Sequence, residues 1–321
     1  MKLAYISDID FVGKMSEDFY ELRADISWIK TLDLYHFSFE YIVNNIEMLE
    51  EYDFVILNFP KEQDGYLLSY IPFIFSMLKK PKKGLIQHGG YDLFTGWRME
   101  VQEAFINILK QSDFFITTNQ QDKNHFRLLT DTPIIYLPTD LDDVAVQKFD
   151  TKNREEKVIL SGNMVPWYGG TFSLLIAKKL KVPITIPNMG RKHSDEKIFV
   201  PKIVNTSLTF LPYLPWVEWF KILSEHKYAV NMMPIAACGS FSVACAALGI
   251  PCIGRKHITA QEICFPELCV DETYEGIDEK IKLIKTDYDR LSKYARKQFL
   301  EHFERQAVKK YFYKQLEEIQ K

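Results

Sequence analysis

Short apolar runs recur along this chain with helix-length stretches between them, and that alternation restricts the fold more than any other feature. Lys2–Ser7, Asp53–Asn58 (DFVILN), Gly84–Gln87 (GLIQ), Asp113–Thr117 (DFFIT) and Pro133–Leu137 (PIIYL) read as strands. Phe39–Glu50, Tyr66–Leu78 and Trp97–Lys110 read as the helices between them. Near-continuous apolar strands separated by helices are the pattern of a parallel sheet covered on both faces.

The pattern breaks once and then restarts. Asp150 to Lys157 (DTKNREEK) is polar and carries no apolar residue, as an interdomain linker does. Val158–Ser161, Pro183–Ile186, Leu208–Leu211, Tyr228–Asn231 and Pro251–Ile253 then read as strands. Thr171–Leu180, Trp216–Glu225 and Ser242–Leu248 read as helices, and the chain from Glu279 onward is amphipathic and helical. The expectation is two Rossmann-like, doubly wound α/β domains facing across a cleft, 1–150 and 151–295, followed by a C-terminal helix over 296–321. Ligands of such sheets bind at the carboxyl ends of the strands.

Composition narrows the function classes. The 321 residues fit two domains, and the 47% hydrophobic and 26% charged content is that of a globular protein. A net charge of −3 argues against a protein wrapped in nucleic acid. The five cysteines, Cys238, Cys245, Cys252, Cys264 and Cys269, are odd in number and form no C-x-x-C pair, which speaks against a disulfide framework or a zinc site. The N-terminal apolar run is too short for a signal peptide, and Tyr66–Leu78 is too short to span a bilayer. The expected location is the cytoplasm.

Cys238 to Gly254 (CGSFSVACAALGIPCIG) is the most informative segment. Gly239-Ser240-Phe241-Ser242 opens a small-residue helix, and a helix start suits a phosphate group. Ser240 or Ser242 serves equally well as an ordinary N-cap. The loop, the small-residue helix and the following Gly249-Ile250-Pro251-Cys252-Ile253 resemble the donor-binding element of GT-B fold glycosyltransferases, in particular the glycogen synthase and bacterial mannosyltransferase group. Lys157–Pro166, with its Ser161-Gly162-Asn163 turn, is similar to the strand and loop that open that family's second domain. Leu211–Trp216 is similar to the turn that receives the base, and Tyr136–Asp142 to the segment that closes the first domain.

The resemblance implies a glycosyltransferase moving a sugar from a UDP- or GDP-linked donor to an acceptor hydroxyl, with no cofactor and no bound metal. It implies donor contacts at Gly162, Asn163, Tyr213, Leu214, Gly239, Ser240, Phe241 and Ser242. It implies His88 and Asp8 at the reacting centre, Asp10 on the acceptor side, and the C-terminal helix 296–321 packing back on the first domain; Asp92 is the other candidate base, and Trp97 is an acceptor-side candidate as an aromatic platform for a sugar. His88 closes a first-domain strand in Gln87-His88-Gly89-Gly90-Tyr91-Asp92, where it either orients a ligand or acts as a base. The acceptor class stays open among glycan, lipid-linked, protein and nucleic-acid hydroxyls. Lys79-Lys80-Pro81-Lys82-Lys83, beside the apolar Tyr66–Leu78, reads either as a solvated loop or as a peripheral membrane contact.

Two departures from the family pattern bear on function. The positions of its two acids, seven apart, fall near Ala237 and Ala244. Its basic pair is missing after Gly162, which makes Arg191-Lys192 and Arg255-Lys256 the substitute candidates for the leaving diphosphate. Glu262 is the candidate to replace a missing acid on ribose or sugar hydroxyls. The lost acids keep two alternatives in play: a sugar-nucleotide epimerase of the same build, or a non-catalytic nucleotide-sugar-binding subunit.

Overall fold

The structure, a computed structural model, describes residues 1–59, 65–151, 153–188, 200–201, 204–235, 237–271, 273 and 275–320. The chain divides into two compact units. The first holds 1–139, 236–238 and 308–321; the second holds 140–235 and 239–307.

The first unit is built on strands β1 (Leu3–Ser7), β2 (Tyr35–Ser38), β3 (Phe54–Asn58), β4 (Lys82–Gln87), β5 (Phe114–Thr117) and β6 (Ile134–Tyr136). All pair in parallel, in the order β2-β1-β3-β4-β5-β6. Side chains of successive strand residues point to opposite faces, so apolar residues at every position fill two cores. Leu3, Tyr5, Phe54, Ile56, Phe114 and Ile116 face one core, and Ala4, Ile6, Val55, Leu57 and Phe115 face the other. Helices α1 (Ala24–Thr31), α2 (Phe39–Val43), α3 (Gly65–Met77), α4 (Tyr91–Thr95), α5 (Met99–Leu109) and α6 (Asp122–Phe126) connect the strands. The first core also takes Val308, Phe312 and Leu316, a four-residue repeat along one side of a helix.

The second unit opens with α7 (Asp143–Gln147), ahead of the expected boundary near Asp150. Its strands are β7 (Glu155–Leu160), β8 (Ile184–Ile186), β9 (Leu208–Phe210), β10 (His226–Asn231), β11 (Cys252–Arg255) and β12 (Cys269–Val270), all parallel, in the order β12-β11-β10-β7-β8-β9. Around them lie α8 (Gly170–Leu180), α9 (Trp216–Ser224), α10 (Ser240–Ala247), α11 (Thr259–Cys264), α12 (Ile277–Thr286) and α13 (Tyr288–His302). A further helix, α14, covers Arg305–Gln320. Several bonds tie α7 to this unit: Gln147 donates to the Ala247 carbonyl at 3.0 Å, and Arg296 pairs with Asp143 at 2.6 Å. The small side chains Ala244, Cys245, Ala246 and Ala247 are all buried, which lets α10 pack closely on α11 and α13. Among the described residues no helix is long and apolar enough to cross a membrane.

Candidate functional site

Strand order locates the ligand-binding region of each unit. In the second unit the chain runs outward from β7 through β8 to β9, then returns to β10 on the other side of β7. Such a reversal leaves a crevice at the carboxyl ends of the two central strands. Those ends are Ser161-Gly162-Asn163 after β7 and Asn231 at the end of β10, held in register by Ser161 N–H donating to the Val230 carbonyl at 3.0 Å.

Three buried polar atoms converge on this point with no hydrogen-bond partner among the described residues: Ser161 Oγ, Asn163 Nδ2 and Asn231 Oδ1. Their residues are 4%, 0% and 2% exposed. A buried polar atom without a partner costs on the order of 1–3 kcal/mol, so three at one strand junction mark a place built for a polar ligand. Two helix starts lie beside them in the chain. α8 and α10 follow β7 and β10, and both are capped by glycine in the left-handed region, Gly169 at φ +62° and Gly239 at φ +75°. Glycine offers no side chain to cap either helix, and a helix start of this kind suits an anion such as phosphate.

The glycines are needed for closeness as well as for φ. A Cβ on Gly169 would lie 1.8 Å from the Met232 carbonyl oxygen, and one on Gly162 would lie 2.6 Å from the Tyr168 ring. Gly239 meets Ala260 in the same way, at 2.6 Å. The backbone is thus pressed against its neighbours around the crevice.

The other predicted donor residues divide. Ser242 does not serve as an open hydroxyl donor. It is fully buried, accepts from Asn231 Nδ2 at 3.1 Å and donates to Gln261 Oε1 at 2.8 Å, and Gln261 in turn donates to the Cys252 carbonyl at 2.8 Å. Its hydroxyl links β10, α10 and α11 internally. Ser240 is the first residue of α10, and Phe241 lies 6.3 Å from the Trp219 ring. Tyr213, 54% exposed, and half-buried Leu214 precede α9. Glu262 is half-buried in the first turn of α11, and Arg255 closes β11. Arg191 lies outside the described residues, as does Lys192.

In the first unit the reversal falls between β1 and β3. Asn58 Oδ1 and Gln87 Oε1, at the ends of β3 and β4, are buried without a partner among the described residues. His88 follows Gln87, half-buried, with its Nε2 3.1 Å from the Tyr5 hydroxyl and its carbonyl accepting from Thr118 Oγ1 at 3.3 Å. Asp8 and Asp10 are exposed after β1, and Asp8 pairs with Arg23 at 2.9 Å. Arg23 is held by the buried Asp25 at 2.6 Å. Asp92 is exposed in the first turn of α4.

Trp97, expected on the acceptor side, lies in the core. It is 8% exposed and stacked on Phe59 at 5.0 Å within the core, because an indole between β3 and α5 buries more apolar area than one left in water. Trp216 and Trp219 are buried as well, at 6% and 5% exposure, whereas Trp167 is 41% exposed. The lysine run lies at the opening of β4, the end away from His88. The backbone N–H groups of Lys79 and Lys80 donate to the Glu50 carboxylate, and that of Lys83 donates to Asp113.

Sequence reasoning missed Asp122. It is 2% exposed at the start of α6, bonded by the Tyr91 N–H and the Asn119 side chain, and burial raises its carboxyl above the ordinary range. The signal was an acid in the turn after β5, where a strand's carboxyl end meets a helix start. The spacing of Asp8-Ile9-Asp10 and Asp140-Leu141-Asp142 is that of an acidic D-x-D pair, but Asp142 caps α7 and pairs with Arg305 at 3.3 Å. No group of three His, Cys, Asp or Glu among the described residues could hold a metal ion.

No family model and no curated protein matches the chain. Solved structures do. HepE of Anabaena, in complex with UDP and glucose, aligns at a TM-score of 0.71 and 12% identity over 99% of this chain and 100% of that one. Sucrose-phosphate synthase from Thermosynechococcus elongatus aligns at 0.69 and 14% identity, over 98% of each chain. An alpha-glucosyltransferase in complex with UDP-glucose and DNA containing an abasic site aligns at 0.61 and 13% identity, over 89% of this chain and 86% of that one. What is shared at such identities is the fold: two Rossmann-like α/β units of GT-B type.

Proposed function

We propose that the protein is a glycosyltransferase that moves a sugar from a UDP-linked donor to an acceptor hydroxyl. The observation that carries this reading is the junction of β7 and β10, where three buried polar atoms with no partner among the described residues lie beside two glycine-capped helix starts. Buried hydrogen-bonding groups suit a polar ligand, and helix N-termini suit its phosphates. Two of the solved structures of the same fold, HepE and the alpha-glucosyltransferase, hold UDP or UDP-glucose, which fits that site chemistry.

In this reading the second unit binds the donor. The starts of α8 and α10 take the diphosphate, while Tyr213 and Leu214 flank the base and Glu262 meets ribose or sugar hydroxyls. The bond between the sugar C1 and the diphosphate oxygen breaks, a bond from C1 to the acceptor oxygen forms, and the acceptor hydroxyl loses its proton. Charge builds on the departing diphosphate, where oriented N–H groups and Arg255 stabilise it in place of a metal. His88, Asp92 and Asp8 are the candidates to act on the reacting groups, with His88 or Asp92 as the base that takes the acceptor proton.

A second reading has its own observation. Ala237 and Ala244 stand where the family pattern places acids, and Ala244 is buried in α10 at 5% exposure, which fits a unit that binds a nucleotide sugar without turning it over. One assay separates the readings. The protein is melted with UDP, GDP and their sugars, since a ligand that binds the folded state raises its Tm with concentration. Donor consumption is then followed with and without a panel of hydroxyl acceptors. Consumption that needs an acceptor supports the transferase, and conversion without one supports an epimerase. Stabilisation without turnover supports the binding subunit, and no stabilisation by any nucleotide overturns the site.

A further inference from the structure

The two candidate bases of the first unit stand at either end of one short turn, His88-Gly89-Gly90-Tyr91-Asp92, between β4 and α4. Paired glycines impose little conformational preference, so the places of the two end residues are set by contacts from outside the turn. The neighbouring turn, after β5, supplies them. β4 and β5 run side by side with Gln87 opposite Thr117, so the two turns start next to each other. Thr118, 1% exposed, donates its hydroxyl to the His88 carbonyl at 3.3 Å. Asp122, 2% exposed at the start of α6, accepts from the Tyr91 N–H and from the Asn119 side chain. The Tyr91 ring stacks on His125, one turn further along α6, with centroids 4.7 Å apart at 26°. The glycine pair is held on both sides, at His88 and at Tyr91, by one loop.

A buried carboxyl group is a costly way to hold a backbone N–H. Burial raises the Asp122 carboxyl above its ordinary range, and its Oδ2 has no hydrogen-bond partner among the described residues. What an acid adds is strength, because a hydrogen bond to an ionised acceptor is about twice as strong as one to a neutral oxygen. Buried ionisable groups with displaced pKa values cluster at functional sites.

We propose that Asp122 and Thr118 are positioning residues: they clamp the Gly89-Gly90 turn from both sides and so fix where His88 and Asp92 stand. That His88 and Asp92 act on the reacting groups rests on the transferase reading; the clamp does not.

The test is hydrogen–deuterium exchange, read by mass spectrometry on the peptide spanning residues 87–94, in the wild type and in Asp122→Ala, Asp122→Asn and Thr118→Val. Valine keeps the buried shape of Thr118, so that variant reads the clamp even where Asp122→Ala fails to fold. The expected result is exchange about tenfold faster in Asp122→Ala and about threefold faster in Thr118→Val, each the size of one lost hydrogen bond. Peptides of the second unit should be unchanged. Asp122→Asn, whose amide oxygen can still accept the Tyr91 N–H, should stay within about threefold of the wild type. Unchanged exchange over 87–94 in Asp122→Ala and Thr118→Val overturns the clamp, and so does faster exchange spread evenly through the first unit. With an active donor and acceptor pair, Asp122→Ala is expected to lower kcat about tenfold with donor KM nearly unchanged, and Asp122→Asn to restore most of the loss. A loosened turn with full turnover, or a loss confined to donor KM, overturns the positioning role. Absence of turnover in the wild type counts against the transferase reading, while exchange still decides the clamp.

Discussion

Replacing Gly169 with alanine puts a methyl carbon where the chain has no room for one. The position has φ +62°, and leaving glycine there costs about 1–2 kcal/mol for the left-handed backbone alone. The new Cβ would also lie 1.8 Å from the Met232 carbonyl oxygen and 2.4 Å from its carbon. Both are backbone atoms just past β10, and Met232 is further held by its N–H donating to Ser173 Oγ at 3.1 Å. Overpacking against atoms that cannot turn aside adds about 1–3 kcal/mol. Gly276 is the control, because its φ is +67° but its added Cβ meets just the Glu279 carboxylate oxygen at 3.0 Å, the far end of a side chain that can swing away. Gly276→Ala should therefore cost the backbone strain and little more. The two variants differ by about 2 kcal/mol, or about 4–8 °C in Tm for a unit of this size. Scanning calorimetry of both against the wild type measures the gap, and UDP titration of Gly169→Ala asks whether the α8 start has moved with it. Equal Tm losses would refute the close backbone approach around the β7–β10 junction, since strain alone would then explain both.

Other perturbations have outcomes as definite. His226 is 1% exposed, donates Nδ1–H to the Ile222 carbonyl and accepts from Thr185, and burial lowers its pKa to about 4. The unfolded chain binds a proton near pH 6.5 that the folded chain refuses, so stability is full above pH 6.5 and falls as pH drops towards 4, by up to about 1.4 kcal/mol per unit. Melting curves of His226→Gln should be flatter than wild type between pH 6.5 and 5, and parallel curves would rule the contribution out. Trp97→Ala should cost about 3–5 kcal/mol in chemical denaturation, as loss of a core indole does; a near-neutral result would return Trp97 to the surface. Ser242→Ala strips partners from Asn231 and Gln261, costing about 1–3 kcal/mol, with UDP affinity changed less than about threefold. A large loss of affinity at unchanged stability would instead make that hydroxyl a ligand contact.

The sheets were legible because their strands are apolar on both faces, which periodicity reports directly. The expected runs at Asp53–Asn58, Gly84–Gln87 and Asp113–Thr117 coincide with β3, β4 and β5. β2 escaped notice because Tyr-His-Phe-Ser is short and contains an imidazole, and that imidazole is buried by bonds to Ser7 and the Phe11 carbonyl, which no local pattern reveals. The two residues of β12 were too few to register. Of the candidate site, the glycine-bearing segments could be read because tight turns and helix starts leave a local signature. Ser161, Asn231 and Tyr5 could not, since their significance comes from which strand lies beside which. The buried bonds of Ser242 and the core packing of Trp97 were not legible for a shared reason: a hydroxyl or an indole carries the same letter whether its partner is a ligand or the protein interior.

Residues 308–321 belong to the first unit although the whole second unit is encoded before them. Val308, Phe312 and Leu316 fill the core that contains Trp28, Leu3 and Phe54. A ribosome adding about 5–20 residues per second needs some 10–30 s to cover the roughly 170 residues between Thr139 and Val308. Through that interval the nascent first unit exposes the apolar face these side chains later seal, while the intervening unit has all of its strands available to fold. The order of completion is therefore inverted relative to the order of synthesis: the later-made half closes first, and the earlier-made half waits, open to chaperones and to self-association, for its last helix to emerge.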